Sequence, residues 1–348
     1  MRGIQDMADT HHRFDTALED TVSEWKQHKN VKGIFVYGSY VKGTITANSD
    51  LDIGIIWDGE DAPVRLMSTH KEVIIDMVFM TIAEVEAVLE GTSKDVFKIS
   101  EVVNRFRSSK ILHDTKNMLK NWQNSVRHYV WSDEVINIVK GLALEELSRA
   151  EKSLKEEDYE SAIYEARDGL LQLGRVIVMT NNIFTLHRPA EVLTEIRMLD
   201  PMTYKLFLRT FKLKEMNEPK LLKILEEIKE WLDKTERRLG EVTSDAQLIK
   251  STELLAQAQR EQNGAVVLTY SGDNELAVME MRQAACTLGR TLVAIKGDEI
   301  EDVAFIPNLR ICDNEFFNQI LVEYGAYDFQ PAEINRIISE VRYLAHRI

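Results

Sequence analysis

The sequence predicts a chain in three parts. An N-terminal α/β (α+β) domain covers residues 1–130, a helical bundle with its connector 131–262, and a small C-terminal α/β domain of unknown role 263–348. Three observations predict this. Short apolar runs that end in glycine or turn residues crowd roughly the first 115 residues and read as buried strands. From Ser132 to about Gly240 those runs vanish and apolar residues recur at helical spacing. From Gly264 strand-like runs return. A chain of 348 residues also exceeds what one ordinary core serves.

Taken in order, Phe14, Leu18, Val22 and Trp25 recur at helical spacing and predict a helix from about Asp6 to Lys29. "VKGIFVYG" is a short apolar run ending in glycine, the pattern of a buried strand. "LDIGIIW", Leu51 to Trp57, is a second strand, stopped by the turn-like "DGEDAP". "EVIIDMVFM", Glu72 to Met80, is a third strand with an aspartate in its middle, and a helix follows from Ile82 to Leu89. "SSKILHD" near Lys110 closes the strand set. In the next part, "SDEVINIVKGLALEELSRAEKSL" and "DYESAIYEARDGLLQLGRVIVMT" are amphipathic helices, with Asp133 and Asp158 where N-caps or first-turn acids belong. Pro189, Pro201 and Pro219 mark further boundaries, for about five helices in all. "GAVVLTYSGDNELAVMEMRQAACTLGRTLVAIKGDE" reads strand, helix, strand, and the chain ends in helical patterns at "NEFFNQILVEYG" and "PAEINRIISEVRYLAHRI".

Composition excludes several classes. Hydrophobic residues make up 44% and charged residues 29%, the balance of a globular protein in water. No apolar run reaches the roughly 20 residues of a membrane span, and the first residues lack the apolar core of a signal peptide, so a cytoplasmic chain is expected. Cys286 and Cys312 suit a reducing compartment, and no Cys/His spacing points to zinc. A net charge of −14 argues against a non-specific grip on nucleic acid, which needs a basic face.

The chemistry is concentrated in "YGSYVKGTITANSDLDIGII", Tyr37 to Ile56. Side chains at alternate strand positions point the same way, so Asp50 and Asp52 project together while Leu51 and Ile53 face the core. Two carboxylates so placed repel unless cations sit between them, and hard oxygen ligands suit magnesium or manganese. Gly38 permits close backbone approach to a ligand, and Ser39 opens a helix whose free N–H groups attract anions. Together they form a cradle for a metal-bound triphosphate.

This stretch resembles the signature of the DNA polymerase β-type nucleotidyltransferase superfamily: a Gly-Ser pair, here Gly38-Ser39, then Asp-x-Asp entering an apolar strand, here Asp50-Leu51-Asp52. Gly43 between them and Ser49 before the first aspartate match the minimal and antibiotic nucleotidyltransferases. The resemblance covers roughly the first 115 residues and implies an α/β domain with a mixed sheet. It implies that Asp76 is the third carboxylate, sharing a strand face with Ile74, Val78 and Met80. It further implies catalysis by Asp50, Asp52 and Asp76, the same three as ligands of Mg2+ (or Mn2+), and Gly38 and Ser39 as nucleotide-binding residues. The expected reaction moves a nucleoside monophosphate from an NTP, ATP being one candidate, to a hydroxyl of a small molecule or a protein, with Asp76 also a candidate general base. The helical part more loosely resembles the C-terminal bundle of kanamycin-type nucleotidyltransferases.

Other readings stay open in the sequence: an antitoxin-like or regulatory protein that transfers AMP to a protein partner, an RNA-tailing enzyme, a non-catalytic nucleotide sensor, and a homodimer. Ile163, Ala166, Leu170, Leu173 and Ile177 make a core stripe, while Glu165, Arg167, Asp168 and Arg175 lie mostly off it and are most simply surface charge. Arg107 and His113 have the spacing of an arginine–histidine motif in helical ribonuclease toxins, yet fall at the closing strand. Gly272 and Asp273 read better as a turn and an N-cap than as a ligand site. His11 and His12 read as solvent-exposed, and Cys286 as core.

Overall fold

A computed structural model describes residues 2–46, 49–59, 62–63, 65–214, 216–297 and 305–348, with residues 2–10 by backbone alone. The chain divides into two compact units, one ending at Val135 and the other running from Ile136 to Ile348.

The N-terminal unit is built in the order α1 (Arg2–Trp25), β1 (Val31–Val36), α2 (Gly38–Lys42), β2 (Asp50–Trp57), β3 (Arg65–His70), β4 (Val73–Thr81), α3 (Ile82–Leu89), α4 (Val96–Arg107), β5 (Lys110–Asp114) and α5 (Met118–Arg127). The strands form one mixed sheet in the order β3-β4-β2-β1-β5. Only β2 and β4 run parallel, and the other neighbours are antiparallel.

Strict alternation in β2 and β4 divides the sheet into two faces. Leu51, Ile53, Ile55 and Trp57 point one way with Val73, Ile75, Met77 and Phe79, and Phe14, Ala17 and Leu18 of α1 pack on them in one hydrophobic cluster. Full burial of each such side chain contributes about 1.5–3 kcal/mol. The opposite face carries Phe35, whose ring lies against Phe106 of α4 at 4.8 Å between centroids. Gly54 makes room for it, because a Cβ there would stand 2.1 Å from the Phe35 ring. The same face carries Asp50, Asp52 and Asp76.

Strand β3 is absent from the sequence reading, and its turn explains why. His70 pairs with Val73, so Lys71 and Glu72 form a two-residue hairpin turn with φ of 50° and 64°. Hairpins of this kind normally announce themselves with Asn-Gly or Asp-Gly. Here α1 secures the strained pair instead: Lys71 Nζ and His70 Nε2 each reach Asp20 Oδ2 at 2.9 Å, and Arg13 Nη2 donates to the Glu72 carbonyl at 3.3 Å. Helix α3 begins and ends where expected, its start held by a Thr81–Glu84 capping box.

The second unit is helical throughout its described residues: most of α6 (Asp133–Lys155), then α7 (Tyr159–Thr180), α8 (Pro189–Leu199), α9 (Pro201–Thr210), α10 (Glu218–Leu239), α11 (Asp245–Tyr270), α12 (Asn274–Ile295), α13 (Phe305–Cys312), helical turns over 314–325 and a last helix, Pro331–Arg347. This corrects the expectation of a separate small α/β domain at 263–348. The two ends of that strand-helix-strand reading, around "GAVVLTY" and "TLVAI", are the end of α11 and the end of α12; residues 298–299, which close the stretch so read, lie outside the described residues. Helix α12 is buried nearly all round, from Leu276 to Ala294. A helix without a solvent face shows no 3.6-residue polarity, so its apolar runs look like buried strands. The Gly272-Asp273 reading as turn and N-cap agrees with the structure: Gly272 has φ 83° and Asp273 accepts from the Leu276 N–H.

The off-stripe charges of α7 are a second correction. Glu165, Arg167 and Arg175 are buried rather than surface charge. Arg167 donates to the carbonyls of Thr210, Gly325 and Ala326 at 3.0, 2.7 and 2.8 Å, spending its guanidinium on backbone acceptors. Arg107, the last residue of α4 and not part of the closing strand that holds His113, likewise donates to the Val126 and Tyr129 carbonyls. No helix among the described residues is long and apolar enough to cross a membrane.

Candidate active site

The parallel register of β2 and β4 sets Asp52 opposite Asp76 and Asp50 opposite Ile74. Paired residues of neighbouring strands share a face, so the three carboxylates converge, each offering an oxygen within 4.8 Å of the others. Among the described residues they are the group of three His, Cys, Asp or Glu side chains that could hold a metal. Asp50 is exposed, Asp52 half-buried and Asp76 only 4% exposed.

Burial pushes the Asp52 carboxyl up to about 7, and the neighbouring Asp50 and Asp76 push the same way. Arg105 and Arg65 oppose this without cancelling it. Carboxylates crowded in this way favour a bound cation, which would relieve their mutual repulsion.

Gly38 closes the site from β1. The Tyr37 N–H donates to the Asp52 carbonyl at 3.1 Å, so the strand end and the carboxylate strand are tied together. Gly38 has φ 73°, and a Cβ there would lie 1.9 Å from Asp52 Oδ2. Only glycine fits, for both reasons. The Ser39 hydroxyl is buried and has no hydrogen-bond partner among the described residues. An orphaned donor next to the glycine that abuts the carboxylates fits a ligand oxygen. Helix α2 has just five residues, so its macrodipole adds little, and anion binding there rests on the hydroxyl and the local N–H groups. Carboxylate donors, a glycine cradle and an unspent hydroxyl together suit a divalent ion carrying phosphate oxygens.

Two arginines belong to this face and escaped the sequence reading. Arg65 opens β3, and its Nε donates to Asp76 Oδ1 at 2.7 Å while Nη2 pairs with Asp76 Oδ2. Arg105 of α4 sits over the Tyr37 ring, 5.3 Å from its centroid, and pairs with Glu101 one turn back. The i,i+4 Glu101–Arg105 spacing was visible in the sequence, but its proximity to Asp52 was not. Burial first, and then the surrounding acids, push the Tyr37 hydroxyl up to about 12, so it stays protonated at neutral pH.

Residues 19–102 match the family described as "Polymerase beta, Nucleotidyltransferase", a span that holds Gly38, Ser39, Asp50, Asp52 and Asp76. A solved nucleotidyltransferase-like protein from Exiguobacterium sibiricum 255-15 is similar over 58% of this chain and 68% of its own, at 14% identity and a TM-score of 0.41. No curated protein matches the chain.

Proposed function

We propose, from the match of residues 19–102 to the polymerase β-type nucleotidyltransferase family, that the chain is a metal-dependent nucleotidyltransferase. It moves a nucleoside monophosphate from an NTP, ATP being the first candidate, to a hydroxyl of a small molecule or protein. The observation that carries this reading is the convergence of Asp50, Asp52 and Asp76 within 4.8 Å, against a glycine that a Cβ would drive into Asp52.

Asp50, Asp52 and Asp76 would hold magnesium or manganese, and Gly38 and Ser39 would receive the triphosphate. Bound divalent ions supply activation of the acceptor hydroxyl and charge stabilisation of the leaving oxygen. The acceptor oxygen forms a bond to the α-phosphorus as the α–β bridging bond breaks, and pyrophosphate departs. Asp76 would also serve as general base for the acceptor's proton, as the carboxylate nearest the acceptor's ion. The net charge of −14 weighs against nucleic acid as the acceptor.

The test incubates the full chain with each α-labelled NTP, Mg2+ or Mn2+, and a cell extract, and follows the label. Transfer to a metabolite or protein that Asp50→Asn and Asp52→Asn both abolish supports the reading. Label on RNA ends would name the acceptor as RNA, and transfer that survives in both variants would refute the assigned residues.

A further inference from the structure

We propose that Arg65 is the resident cation of the third carboxylate and competes with a divalent ion for Asp76. The inference rests on the metal-site reading above and concerns its regulation.

The geometry is specific. Arg65 pairs in register with Val78, two residues beyond Asp76 on the same face of the sheet. From there its fork takes both Asp76 oxygens, Nε on Oδ1 and Nη2 on Oδ2. Among the described residues neither Asp50 nor Asp52 has such an ion pair. Two cations sharing one carboxylate repel, so an ion that uses Asp76 must displace the guanidinium or bind beside it at a cost. The partners differ in freedom. Asp76 is 4% exposed in mid-strand, whereas the Arg65 side chain is 39% exposed at the start of an edge strand. The arginine can turn outward into water without disturbing the core, and the aspartate cannot turn away from it.

An order of filling follows. Asp50 and Asp52 take the first ion. The second, which needs Asp76, binds only as Arg65 lets go. The clasp holds the third carboxylate idle until a second ion displaces it.

Titration of the full chain with Mn2+ alone, counting free ion by EPR, tests this. Wild type should show a tighter and a weaker class of site. In Arg65→Gln the weaker class should tighten about tenfold or more, since a charge-assisted fork has been removed, while the tighter class stays put. Arg65→Lys, which keeps the charge but loses the fork, should tighten it less, and Asp76→Asn should abolish it. Far-UV circular dichroism checks that each variant is folded. A weaker class unchanged or weakened in both Arg65 variants overturns the proposal and leaves the metal site standing. Absence of any Mn2+ binding that depends on Asp50 and Asp52 overturns the metal site and this inference with it.

Discussion

Asn in place of Asp52 should make the ion-free protein more stable while destroying its chemistry. The Asp52 carboxyl is pushed up to about 7 by burial and by Asp50 and Asp76. The folded state therefore holds the proton that the unfolded chain has released, and ionisation above pH 7 costs folding free energy. A rise of about three pH units corresponds to about 4 kcal/mol at full effect. Asp52 is only half-buried, and solvent screening reduces this to about 1–2 kcal/mol. The sign sets the pH window: the penalty is absent below the unfolded value near 4, grows as pH rises, and is complete above about 7. Asp52→Asn carries no such charge. In EDTA at pH 8 it should unfold at higher urea than wild type, and the gap should close progressively toward about pH 4. Tryptophan fluorescence suits the assay, because Trp25, Trp57, Trp122 and Trp131, four of the five tryptophans, lie in the N-terminal unit. Added Mn2+ should raise the midpoint of wild type more than that of the variant. A variant less stable than wild type at pH 8, or a gap that does not change with pH, would refute the crowded-carboxylate account.

Gly38→Ala puts a methyl group 1.9 Å from Asp52 Oδ2 at a φ of 73°; it should cost about 1–3 kcal/mol of stability and at least about 100-fold in transfer rate, read by urea unfolding and labelled-NTP turnover. Ser39→Ala removes a buried hydroxyl with no described partner, so unfolding should be nearly unchanged while KM for the NTP rises about tenfold. Gly54→Ala drives a methyl group into the Phe35 ring and should destabilise by about 1–3 kcal/mol in the same fluorescence assay. In the helical unit, Arg167→Leu strips three carbonyls of their donor and should cost about 3 kcal/mol or more in urea unfolding followed by far-UV circular dichroism.

Much of the candidate site was legible because its signal is local. Alternation in "DLDIGII" and "VIIDMVFM" places each carboxylate opposite a core face, and the Gly-Ser pair marks a close approach. The missing strand left no comparable mark. Lys71 and Glu72 do not look like a hairpin turn, and the side chains of α1 that hold them, Asp20 and Arg13, come from more than 50 residues away. Arg65 was lost with that strand. On α7 the charges looked like surface because an arginine that serves distant carbonyls cannot be told, by periodicity, from one that serves water.

What the sequence by itself determined is the two-faced character of β2 and β4 and the residue types on each face, since strand geometry follows from the chain's own alternation. Tertiary structure alone decided that β2 and β4 pair in parallel with Asp52 beside Asp76, that Arg65 clasps the latter, and that 264–270 and 291–295 are helix rather than strand. Each of these depends on which distant segments remove a side chain from water. That free energy belongs to the contact, and no window of neighbouring residues contains it.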